Sequence, residues 1–134
     1  DMNPGLACQS CHRGANFRDQ NPDGGHQSPF YVYRYMGTVF PDFHAQDLCN
    51  GNPVDTTVEI LELDGGLIAS MQARYPSGNF LSVALPGASE RPYRARLRSG
   101  GRVRNMASVQ TSGDCNSCHT EQGLNGAPGR IVRP

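Results

Sequence analysis

Cys8-Gln9-Ser10-Cys11-His12 and Cys115-Asn116-Ser117-Cys118-His119 are two copies of one pattern, a pair of thiols three positions apart followed at once by an imidazole. The spacing has a chemical use. Two thiols so placed on a helical turn can each reach one vinyl group of the same porphyrin, and the next residue then presents its imidazole to the iron. The pattern predicts two covalently bound haem c groups, one on Cys8 and Cys11 and the other on Cys115 and Cys118, with His12 and His119 as proximal iron ligands. Two other chemistries use paired thiols. Four thiolates can share one zinc ion, even across a long gap in the chain. A redox dithiol normally sits in a βαβ setting, which this strand-rich chain lacks. Histidine directly after both second cysteines is a demand that only haem attachment makes, and it favours haem.

The chain has four histidines in all. With His12 and His119 assigned, His26 and His44 remain, which is the number that bis-histidine ligation of two irons requires. The alternative is that Met2, Met36, Met71, Met106 or water takes one of these places, and a methionine there would raise the reduction potential. Both spare histidines lie on the N-terminal side of the β-rich centre and none lies near Cys115. Either the fold brings the two ends of one subunit together or a neighbouring subunit donates the ligand. The favoured pairing puts His26, which follows the turn Pro22-Asp23-Gly24-Gly25, on the first haem and His44 on the second. The fifth cysteine, Cys49, reads as a buried thiol, with an intermolecular disulfide as the alternative in an oxidising compartment.

These residues need a scaffold, and 134 residues suffice for one domain with a modest core. Apolar residues make up 37% and the mean hydropathy is −0.54, so the chain reads as soluble, with a core that a haem would enlarge. With 16 glycines and 10 prolines, short strands and many turns are expected rather than long helices. Residues 1–30 form a polar haem-binding segment, 31–109 an antiparallel β-sandwich and 110–134 a second haem-binding segment. The expected strands are 31–40, 56–63, 67–74, 80–85, 93–98 and 103–109, separated by Gly, Pro, Asn and Asp. In 93–98 the alternation turns Tyr93, Ala95 and Leu97 inward and three arginines outward, and Val103 continues the rhythm between Arg102 and Arg104. The apolar phase slips between Ile60 and Leu61, which predicts a β-bulge there.

Twelve acidic residues balance twelve basic ones, all of them arginine, so neither nucleic acid nor a membrane surface is an expected partner. The absence of lysine reads as compositional bias, or as a supply of planar forks for haem propionates. No stretch is long enough for a membrane-spanning helix and no signal peptide is visible. The start at Asp1 reads as that of a processed chain without a lipid-bearing cysteine.

The stretch Tyr35-Met36-Gly37-Thr38-Val39, the segment 54–64 and Gly78-Asn79-Phe80 together resemble a transthyretin-like or carboxypeptidase-regulatory-type β-sandwich, of the same general kind as an immunoglobulin-like one. With both haem motifs in view, the chain looks like a small exported multihaem c-type cytochrome. The segment Gly113-Asp114-Cys115-Asn116-Ser117-Cys118-His119-Thr120 is similar to the terminal haem segments of such proteins. That resemblance implies maturation outside the cytoplasm, in the periplasm or beyond the cell, bis-histidine low-spin iron and one-electron relay to redox proteins or external acceptors. It extends to extracellular cytochromes that polymerise into electron-conducting filaments, in which one subunit ligates its neighbour's haem. The Pro/Gly-rich tail 126–134 and the start 1–6 are then expected to dock by strand addition, onto the same subunit or a neighbour.

Electron transfer without substrate chemistry is therefore the expected role, in a filament or as a monomeric periplasmic carrier. A peroxidase-like haem enzyme would need an open iron with acid–base groups beside it, and the Asp and Glu residues here are scattered. A structural β-sandwich stapled by metal is the third class.

Overall fold

In the computed structural model the described residues are 6, 33–46, 55–74, 76–83 and 91–134. Seven strands form two sheets: β1 (Tyr33–Phe40), β2 (Thr57–Leu61), β3 (Leu67–Gln72), β4 (Asn79–Val83), β5 (Arg94–Ser99), β6 (Arg102–Asn105) and β7 (Ile131–Val132). One sheet runs β4-β1-β7 and the other β3-β2-β5-β6. Every pairing is antiparallel except the parallel one of β1 with β7. The protein is thus mainly β, a two-sheet sandwich. Its core draws on both layers: Tyr35, Val39, Phe80 and Ile131 from one, Val58, Ile60, Met71 and Leu97 from the other.

Local pattern explains most of this. Tyr93 and Leu97 are buried and Ala95 half-buried, while Arg94 and Arg98 are exposed, as alternation demands. The β2–β3 register slips between Ile60 and Leu61, where the apolar phase slips in the sequence. Strand ends differ from pattern. The segment 103–109 leaves its strand at Asn105, because Met106 N–H donates to Ala95 O (2.8 Å) and the chain then arches before Gln110 pairs with Tyr93. Val103 is 46% exposed instead of inward, since it pairs with Arg98 and shares its outer face, while Arg104 pairs with Leu97 on the inner one. Charged Arg102 and Arg104 on that edge discourage pairing with another chain.

The arginine face of β5 is neutralised within the sheet. Glu59 lies directly across from Arg96, and its carboxylate accepts from Arg96 Nε and from Arg98 Nε (3.0 Å). These contacts, the Arg96 hydrogen bond foremost, hold the Glu59 pKa below its ordinary 4.5 although burial works against them. A depressed carboxylate pKa stabilises the fold above its unfolded value, and that contribution disappears as pH falls through the folded value. Glu59→Gln is expected to destabilise by about 1–3 kcal/mol at neutral pH. The difference in thermal midpoint between variant and parent is expected to shrink as pH falls below the ordinary carboxyl value and through the lowered folded one, where the Glu59 carboxyl becomes as neutral as the amide that replaces it.

The C-terminal tail is placed by main-chain pairing. β7 adds beside β1 of the same subunit, Val39 opposite Ile131 and Phe40 opposite Val132, and both tail residues are buried. No helix among the described residues is long and apolar enough to cross a membrane.

Candidate functional site

The second motif begins with a single 3-10 turn, Cys115–Ser117, and His119 N–H reaches back to Cys115 O (2.9 Å). The helical turn expected of the motif is therefore present. It is sutured to β1 on three sides. Met36 N–H donates to Gly113 O (2.9 Å), and Met36 bridges Asp114. Gly113 lies so close to β1 that a Cβ there would stand 1.6 Å from Arg34 O. Only glycine lets the two backbones approach this far.

Asn116, between the cysteines, is 2% exposed and acts as a structural clamp. Its Oδ1 accepts from Thr38 N–H (3.0 Å), and its Nδ2 donates to Thr38 Oγ1 (3.1 Å) and to Leu6 O (3.0 Å). Thr38 Oγ1 in turn donates to Asn79 Oδ1 (2.6 Å), so β1, β4 and the motif share one buried polar network.

The motif's side chains face a cavity of about 280 Å³. Cys115, Cys118 and His119 line it together with Val58, Phe80, Tyr93 and Leu97, apart from the arch 104–110 and the loop 125–132. Its rim includes the exposed residues Ala107, Ser108, Asn125 and Gly126. Two cations also border it. Arg130 is 5% exposed, with its Nε donating to Ala45 O (3.2 Å) and its guanidinium 4.6 Å from the Phe40 ring centre. Arg104 lies 5.3 Å from the ring centre of Phe43.

His119 is oriented by its own C-terminal loop. Its Nδ1 lies 2.9 Å from Gly129 O, an acceptor, which assigns the proton to Nδ1 and leaves the Nε2 lone pair available. Burial lowers the imidazole pKa below 6.5, opposed by that carbonyl, so the neutral form that ligates a metal is the one favoured. Gly129 has φ +150° and a Cβ there would meet Phe43 O at 2.3 Å, so the loop can carry its carbonyl to His119 only with glycine at this position. Tyr93 closes the cavity beside the motif. Its hydroxyl donates to Ser112 O (2.6 Å), and burial pushes the phenol far above its ordinary pKa.

His44 is exposed and does not line the cavity. Its Nδ1 lies 2.8 Å from the carbonyl oxygen of Glu121, a residue two beyond His119, so the fold brings it near the second motif although 75 residues separate them in sequence. Cys8, Cys11, His12, His26 and Cys49 lie outside the described residues. Among the described residues no three His, Cys, Asp or Glu side chains converge as a metal-ion cage would need. Asn116, Thr38, Asn79 and Arg130 belong to the site, yet a lone asparagine or arginine carries no positional signal in sequence. No protein-family model, curated protein or solved structure matches the chain.

Proposed function

We propose that this protein is an exported electron-transfer protein carrying two covalent haem c groups, one of them held by Cys115, Cys118 and His119. The observation that carries the reading is the apolar cavity lined by Cys115, Cys118 and His119 together, with His119 Nε2 left unprotonated by the bond to Gly129.

The donor set fits the group. The cysteines supply two thiols for thioether bonds, His119 supplies one neutral imidazole nitrogen, and the apolar walls match the body of a porphyrin. Arg104 and Arg130 border the same cavity, and guanidinium forks suit the paired propionates of a haem. When bound, the haem would supply a ferric–ferrous couple for one-electron transfer. The chain's own part is to orient and to exclude water. Gly129 O fixes the His119 ring, Val58, Phe80 and Leu97 keep the cavity dry, and the Asn116 network prevents the motif from shifting along β1. The bond from Asn116 to Leu6 supports an arrangement in which both attachment segments of one chain lie near each other, as an intramolecular haem pair requires.

Extraction with acid–acetone is expected to leave the colour on the polypeptide, and the pyridine haemochrome assay to return two haems per chain. A colourless protein containing zinc would overturn the reading. Carbon monoxide added to the native reduced protein is expected to leave the Soret band unchanged over seconds. A rapid shift would instead mark an open iron and favour a haem oxidoreductase.

A further inference from the structure

We propose that Asn125 is a site of spontaneous deamidation, and that the change places a permanent negative charge at the mouth of the haem-binding cavity. The chemistry needs an asparagine followed by a main-chain nitrogen that is unhindered and free to attack. The Gly126 nitrogen attacks Asn125 Cγ, a Cγ–N bond forms and the Cγ–Nδ2 bond breaks. Nδ2 leaves as ammonia, taking with it the proton of Gly126 N–H. Water then opens the cyclic imide at either carbonyl, giving aspartate or isoaspartate. Solvent is the only co-reactant.

The fold leaves this pair open. Leu124 to Ala127 form a turn closed by Ala127 N–H to Leu124 O (3.0 Å), with φ +52° at Asn125 and +87° at Gly126, the two positive angles of a type I′ turn. Both central residues are exposed, and a Cβ on Gly126 would meet nothing within 4 Å. Among the described residues Gly126 N–H takes part in no hydrogen bond. The nucleophile is therefore accessible, and rotation of Asn125 to bring Cγ to it costs the turn its closing bond alone. Comparable pairs elsewhere are shut. Gly65 N–H, after Asp64, donates to Glu62 O (3.0 Å), Met106 N–H, after Asn105, to Ala95 O (2.8 Å), and Ser117 N–H, after Asn116, to Asp114 O (3.1 Å). Asn79 and Phe80 are buried in β4. The other Asn-Gly pair, Asn50-Gly51, lies outside the described residues.

The consequence rests on the haem-binding reading above, whereas the modification does not. Asn125 lines the cavity, and its Nδ2 lies 3.7 Å from Cys118 Sγ, the sulfur that would carry a thioether. Deamidation replaces that donor by a carboxyl group, which is ionised at neutral pH. A fixed anion at this wall favours ferric over ferrous haem, because the oxidised group carries one more positive charge. The reaction runs one way, so the reduction potential of the C-terminal haem declines with the age of the molecule.

The test incubates the full native chain for weeks at neutral and at mildly alkaline pH and follows the peptide containing residue 125 by mass spectrometry. Expected is a gain of one mass unit, faster at the higher pH because base removes the proton of Gly126 N–H, with part of the product as isoaspartate. Asn125→Gly should show no gain, since it keeps the positive φ of the turn and lacks the carboxamide. A peptide that stays unmodified in the native protein while the urea-unfolded chain converts overturns the inference, because the fold would then shield the site. The charge effect is read in the full chain with Cys8 and Cys11 changed to alanine, so that only the C-terminal haem remains. There Asn125→Asp is expected to lower the midpoint potential, and a midpoint equal to or above that of the parent overturns the proposed effect on the haem. The mass readout does not depend on haem, so failure of the haem reading and failure of this inference are told apart.

Discussion

Changing Cys115 and Cys118 together to alanine is expected to halve the covalent haem of the protein, from two groups per chain to one. The remaining haem, on Cys8 and Cys11, should survive acid–acetone extraction and keep an unchanged haemochrome spectrum. The reason for separability lies in how the second motif is held. Its anchoring bonds come from Gly113 O, from the Asn116 side chain and from the main chain of the turn. Contacts of the two sulfurs include Cys115 Sγ to Gly113 O at 3.9 Å and Asn125 Nδ2 to Cys118 Sγ at 3.7 Å. Removing the thiols therefore deletes the attachment chemistry and leaves the polypeptide scaffold. A double-alanine protein with both haems covalently bound, or with neither, would contradict the assignment of one group to each motif. Circular dichroism of the variant should retain the β spectrum, which separates loss of attachment from loss of fold.

Gly113→Ala is expected to be strongly destabilising, because the added Cβ makes the closest clash of any described glycine. The new Cβ would lie 1.6 Å from Arg34 O and 2.7 Å from Arg34 C, and both are backbone atoms of β1 that cannot rotate away. Relief requires the strand and the motif to separate. That breaks the Met36–Gly113 bond and strains the buried network of Asn116, Thr38 and Asn79. Overpacking of ordinary side chains costs about 1–3 kcal/mol, and a clash with fixed backbone belongs at or above the top of that range. A drop in thermal midpoint of about 10 °C or more is the expected readout. Gly66→Ala is the comparison, because a Cβ there would come no closer than 3.3 Å to a flexible Asp64 side chain in an exposed turn. It should change the midpoint by only a few degrees.

The two variants probe different parts of one device. Cysteines and histidine define what the motif can bind, and Gly113 with Asn116 defines where the motif stands against the sandwich. The same division marks what could be read before the fold was known. The repeated Cys-x-x-Cys-His pattern, the strand alternation through Tyr93, Ala95 and Leu97 and the bulge at Ile60–Leu61 are all short-range features. Each is set by side-chain chemistry and by the period of a strand, and each is legible from neighbours a few residues apart. Strand ends were less legible, because Asn105 ends β6 where the chain must arch round a cavity that local pattern does not reveal.

By itself, then, the sequence supplied the thiol and imidazole pattern on which the proposed haem attachment rests, the strand content and the charge balance. Tertiary structure alone decided the surroundings of that chemistry. It brought Asn116 to Thr38 and Leu6, 78 and 110 residues away, and seated the tail beside β1. It also set Met106 on the cavity wall and His44 off it. Such pairings depend on which buried polar groups find partners and which surfaces close over one another. Those are properties of the packed chain as a whole, and no local window of residues carries them.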